Sequence, residues 1–337
     1  MSRSRYRAMG IALIAVLALV LAACSATGGK KAADAAANPQ SVAAGHANTP
    51  HYTIAMITHA QPGDTFWDII RAGATAAAAK DNITLDYSNN DEPNGQAQLI
   101  QDAINSKDSG IAVTDPDAAA ICPEVQKAKA AGIPVVMFNA GESNWQACGA
   151  LTYFGQDELV AGVAAGKRLA AAGAKNVLCV LQAQGQSQLE DRCIGVKQGL
   201  NGEGAMTKLY VDGTDNSAML SSMTAELTRD KNIDAVITLG APVALVAIQA
   251  IAAAHSTTKL YTFDTNAAEI AKIKSGAVQW AVDQQPYLQG YESVDSLWLY
   301  LTNGDVIGGG DPVYTGPSFI DSTNVAQIAI YAQRGTR

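Results

Sequence analysis

Short runs of β-branched and other apolar residues alternate with alanine-rich stretches of helical periodicity from Tyr52 onward. The apolar runs predict ten strands, at Tyr52–Thr58, Ile83–Tyr87, Gly110–Thr114, Ile133–Phe138, Ala150–Phe154, Asn176–Leu181, Thr207–Val211, Ala235–Leu239, Lys259–Phe263 and Val278–Asp283. Helices are predicted between most of them, at Thr65–Lys80, Gly95–Ser106, Pro123–Ala131, Glu158–Ala172, Asp191–Asn201, Ala218–Asp230, Pro242–Ala254 and Pro286–Leu301. Repeated strand–helix–strand units favour parallel sheets with helices on both faces. Because ten strands in one sheet are unusual, we predict an α/β fold of two lobes with about five strands each.

The two halves of this pattern look alike. Val135–Asn139 in the first half and Leu260–Asp264 in the second are apolar runs that end in a polar residue. Ligands of open parallel sheets bind beyond the carboxyl ends of the strands. Two such sheets facing each other therefore predict a ligand cleft between the lobes.

Hydrogen-bonding and aromatic side chains follow the predicted strands, with little net charge of one sign. The candidate ligand-binding residues are His59, Asp64, Phe66, Trp67, Asn90, Asp115, Asn139, Trp145, Gln156, Arg192, Asp264 and Gln284. A neutral polyhydroxylated ligand needs such a set, because each buried hydroxyl donates once and accepts twice and an unmatched group costs about 1–3 kcal/mol. Phe66, Trp67 and Trp145 offer flat apolar faces to the C–H side of a sugar or polyol.

Several of these residues also fit structural roles. Asp64 suits the cap of the helix predicted from Thr65, which does not exclude ligand contact. Asp115, with Pro116 after it, suits a turn, and a lone arginine such as Arg192 is often solvated. Trp280 is assigned to the core.

The length and composition are those of a globular chain of about two domains. It has 337 residues, of which 48% are hydrophobic and 16% charged. From Tyr52 onward, 18 Lys and Arg face 30 Asp and Glu. Nucleic-acid affinity comes mostly from clustered basic residues, so this acidic body disfavours direct nucleic-acid binding.

The first 51 residues predict export and a tether. Three arginines precede thirteen uncharged residues, Ile11 to Ala23, which are too few for a membrane span of about 20. Leu21-Ala22-Ala23-Cys24 resembles a bacterial lipobox, so we expect a signal peptide over 1–23, lipidation of Cys24 and a flexible tether over 24–51. An ordinary signal peptide with a chance cysteine is the alternative.

Four cysteines remain after Cys24, an even number in an exported chain, where disulfides persist. Because Cys179 lies in an apolar run and Cys193 in the next helix, we expect the pairs 179–193 and 122–148. Four buried thiols are the alternative. No metal is expected, since there is no CxxC and His46 and His51 lie in the tether.

Motifs for catalysis and cofactors are missing from the sequence. It contains no GxSxG, no GxxxxGK[ST] and no GxGxxG after the first strand. The run Asp212-Gly213-Thr214-Asp215-Asn216 begins like a calcium loop, but the sixth-position glycine and the closing glutamate of such a loop are missing. We therefore expect no enzymatic activity and no cofactor.

The chain from Tyr52 to about Asp321 resembles the ribose-binding-like, type I periplasmic substrate-binding proteins of bacterial ABC sugar importers. The resemblance is carried by FW after the first strand and by GIAVTDPD, GIPVVMFN, GQDE and DQQPYLQGY in that order. It implies two Rossmann-like lobes with three hinge crossings, near Phe154–Gln156, Gln284–Gln285 and Gly316–Ser318. The lobes would comprise 52–155 plus 285–316 and 156–284 plus 317–337.

The resemblance also implies ligand contacts. They correspond to Asp64, Phe66, Trp67, Asn90, Asn139, Arg192, Asp264 and Gln284. The chain departs from ribose binders in having Asn139-Ala140 in place of an Asp-Arg pair and Gly240-Ala241-Pro242 in place of an asparagine. A different pentose or hexose, or an acyclic polyol, is therefore expected.

The implied function is that of a monomeric, lipid-anchored solute-binding protein on the outer face of the cytoplasmic membrane. It would deliver a neutral monosaccharide or sugar alcohol to ABC permease subunits served by a cytoplasmic ATPase. A sensor that serves a chemoreceptor or kinase and a secreted α/β sugar-processing enzyme are the alternatives. A transcriptional regulator is disfavoured, because the export signal stands where its helix-turn-helix would lie.

Overall fold

The computed structural model describes residues 46–337, and the body of the protein runs from Thr49 to Arg337. The expected signal peptide, Cys24 and the tether up to residue 45 lie outside the described residues. Within 46–337, every helix is too short or too polar to cross a bilayer.

The first lobe is built on a six-stranded parallel sheet with the order β11-β5-β4-β3-β1-β2. Its strands are β1 (Tyr52–Thr58), β2 (Ile83–Asn89), β3 (Gly110–Val113), β4 (Val135–Phe138), β5 (Tyr153–Gly155) and β11 (Val313–Tyr314). Its helices are α1 (Phe66–Asp81), α2 (Pro93–Ser106), α3 (Ala118–Ala130), α4 (Trp145–Cys148) and α10 (Pro286–Asn303), followed by a 3₁₀ turn (Ile307–Gly310).

The second lobe repeats this design with the order β12-β10-β9-β8-β6-β7. Its strands are β6 (Asn176–Leu181), β7 (Ala205–Tyr210), β8 (Ala235–Thr238), β9 (Lys259–Phe263), β10 (Trp280–Asp283) and β12 (Ser318–Asp321). Its helices are α5 (Glu158–Ala171), α6 (Ser187–Gly199), α7 (Asn216–Arg229), α8 (Ala241–Ala253), α9 (Ala267–Ser275) and α11 (Val325–Ala332). Only β12 is antiparallel, at the sheet edge beside β10, among the strands described.

The chain passes between the two sheets three times: after β5, between β10 and α10, and between β11 and β12. The predicted α/β fold of two parallel-sheet lobes is confirmed. The prediction of about five strands per lobe was one short, because β11 and β12 are brief edge strands after the last predicted helix.

The inner strands of both sheets are buried on both faces, as parallel sheets require. Every residue of β3 and of β4 is buried, and Trp280 packs in the second lobe's core beside Tyr261 and Phe319, as predicted. The strand ends that point toward the other lobe are therefore fixed by packing on two sides.

Helices α5 and α6 pack unusually closely through glycines. A Cβ on Gly195 would lie 2.4 Å from the Leu159 carbonyl oxygen, and one on Gly162 would lie 2.3 Å from the Arg192 carbonyl oxygen. Only glycine permits this approach. The close packing brings Arg192 on α6 next to Glu158 at the start of α5.

The structure pairs the cysteines as predicted. Cys122 of α3 joins Cys148 of α4 with 4.7 Å between the Cα atoms, and Cys179 of β6 joins Cys193 of α6 with 6.0 Å. Each bridge therefore fastens helix α4 or α6 to its own lobe.

Candidate ligand-binding site between the lobes

A cavity with an empty volume of about 490 Å³ lies where the carboxyl ends of the two sheets face each other. The lining residues are His59, Gln61, Asp64, Phe66, Trp67, Asn139, Gln182, Ala183, Gln186, Gln188, Leu189, Arg192, Leu239, Gly240, Ala241, Asp264 and Gln284. Eight of the twelve predicted ligand residues are among them: His59, Asp64, Phe66, Trp67, Asn139, Arg192, Asp264 and Gln284.

The first lobe contributes an aromatic wall at the start of α1. Phe66 and Trp67 meet edge to face with 5.3 Å between ring centroids, and the His59 ring meets Trp67 in the same way at 4.8 Å. Phe66 and Trp67 both line the cavity although both also pack in the core. Asp64 precedes them, and its Oδ1 accepts a hydrogen bond of 3.0 Å from the Phe66 amide.

Gln284 links the ends of the two sheets. Its Oε1 accepts a hydrogen bond of 3.2 Å from Asn139 Nδ2, and its Nε2 donates one of 2.7 Å to Asp264 Oδ1. Asn139 follows β4 and Asp264 follows β9, while Gln284 lies between β10 and α10, where the chain changes lobe. The three side chains therefore form a continuous polar strip across the hinge side of the cavity.

Arg192 carries the positive charge of the cavity wall, and its guanidinium group is already occupied. It donates to both carboxylate oxygens of Glu158, at 2.7 and 2.9 Å, and to the Leu239 carbonyl oxygen at 3.0 Å. A longer contact of 3.4 Å reaches Asp264 Oδ2, and the group lies 4.8 Å from the centre of the Phe263 ring. Arg192 is 2% exposed, so this ion pair is sequestered from water.

Burial shifts the ionisation of the acidic and basic groups around the cavity. Desolvation raises the pKa of Asp64 to about 6, with repulsion from Asp264 adding to it. Desolvation also raises the pKa values of Glu158 and Asp264, while the positive charge of Arg192 opposes the rise. The pKa of His59 is lowered to about 3 by burial and by Arg192, so its imidazole is neutral.

Hydrogen bonds join the two lobes directly across the cleft. Gln188 Nε2 lies 3.0 Å from His59 Nε2, and the Ser187 hydroxyl lies 3.3 Å from the Pro116 carbonyl oxygen. Asn266 Nδ2 donates to Thr65 Oγ1 at 3.1 Å. The structure is therefore a closed form, in which the two lobes touch each other around the cavity.

Two predicted ligand residues lie outside the cavity lining because they serve local structure in the first lobe. The side chain of Asn90 folds against Gly95 of α2, and its Oδ1 accepts the Glu92 amide at 2.9 Å. Asp115 is fully buried, where Gly141 leaves room for it and Cys122 lies near its Oδ2.

Trp145 and Gln156 also lie outside the cavity lining. The Trp145 ring turns into the core of the first lobe, beside Ile133 and Cys148. Gln156 is fully buried at the crossing after β5, and its Nε2 donates to Glu158 Oε2 at 2.7 Å. It supports the ion pair of Glu158 from behind the cavity.

Sequence reasoning missed a set of amide side chains. Gln186 and Gln188 line the cavity from the start of α6, and Gln61 does so from the loop after β1. The signal was present in the segment QAQGQSQ, in which glutamine recurs at every second position from Gln182 to Gln188. Gln182 and Gly240, which the strand pattern does place after strands β6 and β8, also belong to the lining.

Among the described residues, the one cluster of metal-ligating side chains lies outside the cavity. Asp115 lies close to Cys122 and Cys148, but both sulfur atoms are joined to each other and provide no thiolate ligand. The cavity lining contains no serine, threonine, cysteine or lysine. Its chemistry is that of hydrogen bonding and aromatic contact.

Comparisons with known proteins agree with this geometry. Residues 54–305 match the model of a family described as periplasmic binding protein domain. A crystal structure of a carbohydrate transporter from Acidothermus cellulolyticus 11B, in complex with myo-inositol, is 61% identical over 86% of this chain and 100% of that chain, with a TM-score of 0.84. No curated protein sequence matches the chain significantly.

More distant structures share the fold. An ABC sugar transporter, a periplasmic sugar-binding protein from Legionella pneumophila, is 24% identical over 79% of this chain and 99% of that chain, with a TM-score of 0.72. A periplasmic solute-binding protein from Actinobacillus succinogenes 130z, with bound D-allose, is 22% identical over 82% and 99%, with a TM-score of 0.73. The chain belongs to the periplasmic binding protein domain family.

Proposed function

We propose that this protein binds a neutral cyclic polyol of the myo-inositol class and hands it to an ABC permease. The 61% identical relative was crystallised with myo-inositol. The observation that carries the proposal is the set of hydrogen-bond acceptors that both lobes turn toward one small cavity. A ring that bears a hydroxyl on every carbon suits acceptors on several sides at once.

The acceptors come from opposite walls. Gln182 Oε1 and Gln188 Oε1 in the second lobe are buried without a hydrogen-bond partner. Asp64 in the first lobe accepts one backbone amide at Oδ1, which leaves its carboxylate free to accept more. A buried acceptor without a partner costs about 1–3 kcal/mol, and a ligand hydroxyl relieves that cost.

The apolar part of the cavity gives the polyol an orientation. Phe66 and Trp67 form one wall, and Leu239 and Ala241 belong to the other lobe. The C–H groups of a cyclic polyol project above and below the ring while its hydroxyls radiate around the edge. We therefore place the ring between these apolar surfaces, with the hydroxyls directed at Asp64, Asn139, Arg192, Asp264 and Gln284.

Closure couples binding to delivery. A ligand shifts the balance between open and closed lobes only by the contacts that improve in the closed form. A polyol held by Asp64 from one lobe and by Asp264 from the other makes such contacts. The closed rims then present a surface to the permease, and opening there releases the polyol with no bond made or broken.

The protein works outside the cytoplasmic membrane in this proposal. The family is periplasmic, and the sequence before the body carries the lipobox-like Leu21-Ala22-Ala23-Cys24. Lipidated Cys24 and the residues that follow would keep the body close to its permease. Mass spectrometry of protein purified from membranes would show the lipid on Cys24, and an unmodified soluble product would contradict the anchor.

Titration calorimetry of ligand-free protein tests the ligand class. We expect a dissociation constant of about 10⁻⁶ M or tighter for myo-inositol, and binding at least tenfold weaker for ribose, glucose and xylitol. Trp67→Ala should weaken myo-inositol binding, whereas Trp298→Ala on the outer face of the same lobe should leave it unchanged. Folded protein that gives no heat with millimolar myo-inositol would contradict the proposal.

A further inference from the structure

The cavity holds more negative than positive charge. The charged residues of its lining are Asp64, Arg192 and Asp264. Arg192 is paired with Glu158, which accepts two of its hydrogen bonds, and it also contacts Asp264. Once Glu158 is counted, three carboxyl groups face one guanidinium group.

Asp64 is the carboxyl without a cation. Among the ion pairs of residues 46–337, none includes Asp64, and its Oδ1 is bound to the Phe66 amide. It lies on the wall of the first lobe, across the cavity from Arg192 and Asp264 on the second. Arg192 acts on the Asp64 carboxyl from beyond ion-pair distance, so a cationic group on a ligand between these walls would be the direct partner of Asp64.

The adjoining pocket has the same sign of charge. It shares Asn139 and Gln188 with the cavity, and its carboxylates belong to Glu142, Asp157, Glu158 and Asp191. No lysine or arginine lines it. A ligand that approaches from this flank passes acidic groups before it reaches Asp64.

We propose that this site also accepts a cyclic polyol in which a protonated amino group replaces one hydroxyl, with Asp64 as its counter-ion, and that it rejects phosphorylated or carboxylated polyols. This inference rests on the proposed function, since it assumes the same cavity and ring. It names a ligand class that the neutral-polyol reading does not require.

The physical reasons are the strength of the new contact and the size of the group. A hydroxyl gives the Asp64 carboxylate a hydrogen bond with one charged partner, whereas an ammonium group gives it a hydrogen bond and an ion pair at once. An amino group is close in size to the hydroxyl that it replaces, so the ring keeps its position. A phosphate, in contrast, needs an unpaired cation, and the charge of Arg192 is already shared between Glu158 and Asp264.

The test uses three probes of one ring: myo-inositol, a monoamino-deoxy-inositol and myo-inositol monophosphate. Calorimetry on ligand-free full chain at pH 7.5 should give an amine affinity within tenfold of myo-inositol or tighter, and a phosphate affinity at least a hundredfold weaker. Asp64→Asn keeps an acceptor for the Phe66 amide but removes the charge. It should lower the affinity for the amine at least tenfold more than the affinity for myo-inositol.

Asp68→Asn is the matched control, because it removes one charge from the exposed face of α1 and should change neither affinity. The inference is overturned if the amine binds more than tenfold weaker than myo-inositol, if the phosphate binds within a hundredfold, or if Asp64→Asn affects both ligands alike. Binding of the amine without myo-inositol would support it while contradicting the neutral-polyol function. No binding of any probe would overturn both.

Discussion

Asn139 and Asp264 occupy equivalent places in the two lobes and share one backbone conformation. Each follows a phenylalanine at the end of the fourth strand of its lobe, and each has φ of 63°. Asparagine and aspartate tolerate this left-handed conformation better than most residues. The turn directs both side chains to Gln284, which bonds to both. The two similar sequence halves thus each contribute one residue to the same wall of the cavity.

Arg192 is expected to be essential to the stability of the second lobe. Arg192→Met would leave Glu158 and Asp264 buried without their cation, which costs about 3–5 kcal/mol of unfolding free energy. Urea denaturation measures this loss. The double variant Arg192→Met, Glu158→Gln should recover part of it, because one of the two uncompensated charges is gone. A single variant as stable as the parent would contradict the central place of this ion pair.

Glu269 should make stability fall as pH rises. It is fully buried in the first turn of α9, neither oxygen has a partner, and burial raises its pKa to about 8 with repulsion from Asp264 adding to it. A raised folded-state pKa means that the folded form holds the proton more tightly. The stabilisation of the folded state by protonated Glu269 is therefore complete below about pH 4.5 and is lost as pH rises through 8.

The matching experiment is denaturation of Glu269→Gln and the parent at several pH values. The parent should lose on the order of 4 kcal/mol relative to the variant between pH 5 and 8. Glu203→Gln, on the exposed surface, should run parallel to the parent across this range. If the pH dependence of Glu269→Gln also ran parallel to that of the parent, the Glu269 carboxyl of the parent would have to be solvated or paired.

Closure of the two lobes should depend on a hydrogen bond between residues that do not contact the ligand. Thr65 is outside the cavity lining, and its hydroxyl accepts a hydrogen bond from Asn266 of the opposite lobe. Thr65→Ala removes about 1 kcal/mol from the closed form, so ligand affinity should fall about fivefold, chiefly through faster dissociation. Stopped-flow measurements separate the two rates. Thr75→Ala on the outer face of α1 is the control. Equal dissociation rates in the two variants would show that the Thr65–Asn266 hydrogen bond does not stabilise the closed form.

The glycine contact between α5 and α6 should tolerate no side chain. Gly195→Ala gains about 1 kcal/mol of helix propensity, yet its Cβ would lie 2.4 Å from the Leu159 carbonyl oxygen. Separating the helices should cost a net of about 1–3 kcal/mol and move Glu158 away from Arg192. For Gly110→Ala the nearest atom to the new Cβ would belong to the flexible side chain of Leu297, at 3.1 Å, so this variant should cost less in the same melting experiment. If Gly195→Ala melted at the same temperature as the parent, helices α5 and α6 would be able to separate at no cost.

The residues that follow short, regular strand ends were predictable from sequence. His59, Asn139 and Asp264 come directly after parallel strands, and such strands end at one edge of a sheet by topology. Their positions in the cavity therefore follow from the alternation of apolar runs and helices. Gln284 was found in the same way.

Side-chain direction within longer loops was not predictable. Trp145 follows β4 by seven residues, and the intervening turn and the bridge between Cys122 and Cys148 direct its ring into the core. The partner of Arg192 was hidden for a similar reason. Glu158 lies 34 positions earlier, and only the close crossing of α5 and α6 brings the two together.

A crystal structure of the protein grown with myo-inositol tests the central claim most directly. The account predicts one polyol ring in the cavity, hydrogen-bonded to Asp64 of the first lobe and to Asp264 of the second, with Trp67 against its C–H face. A ring bound by one lobe alone, or a cavity without polyol density at saturating concentration, would contradict it.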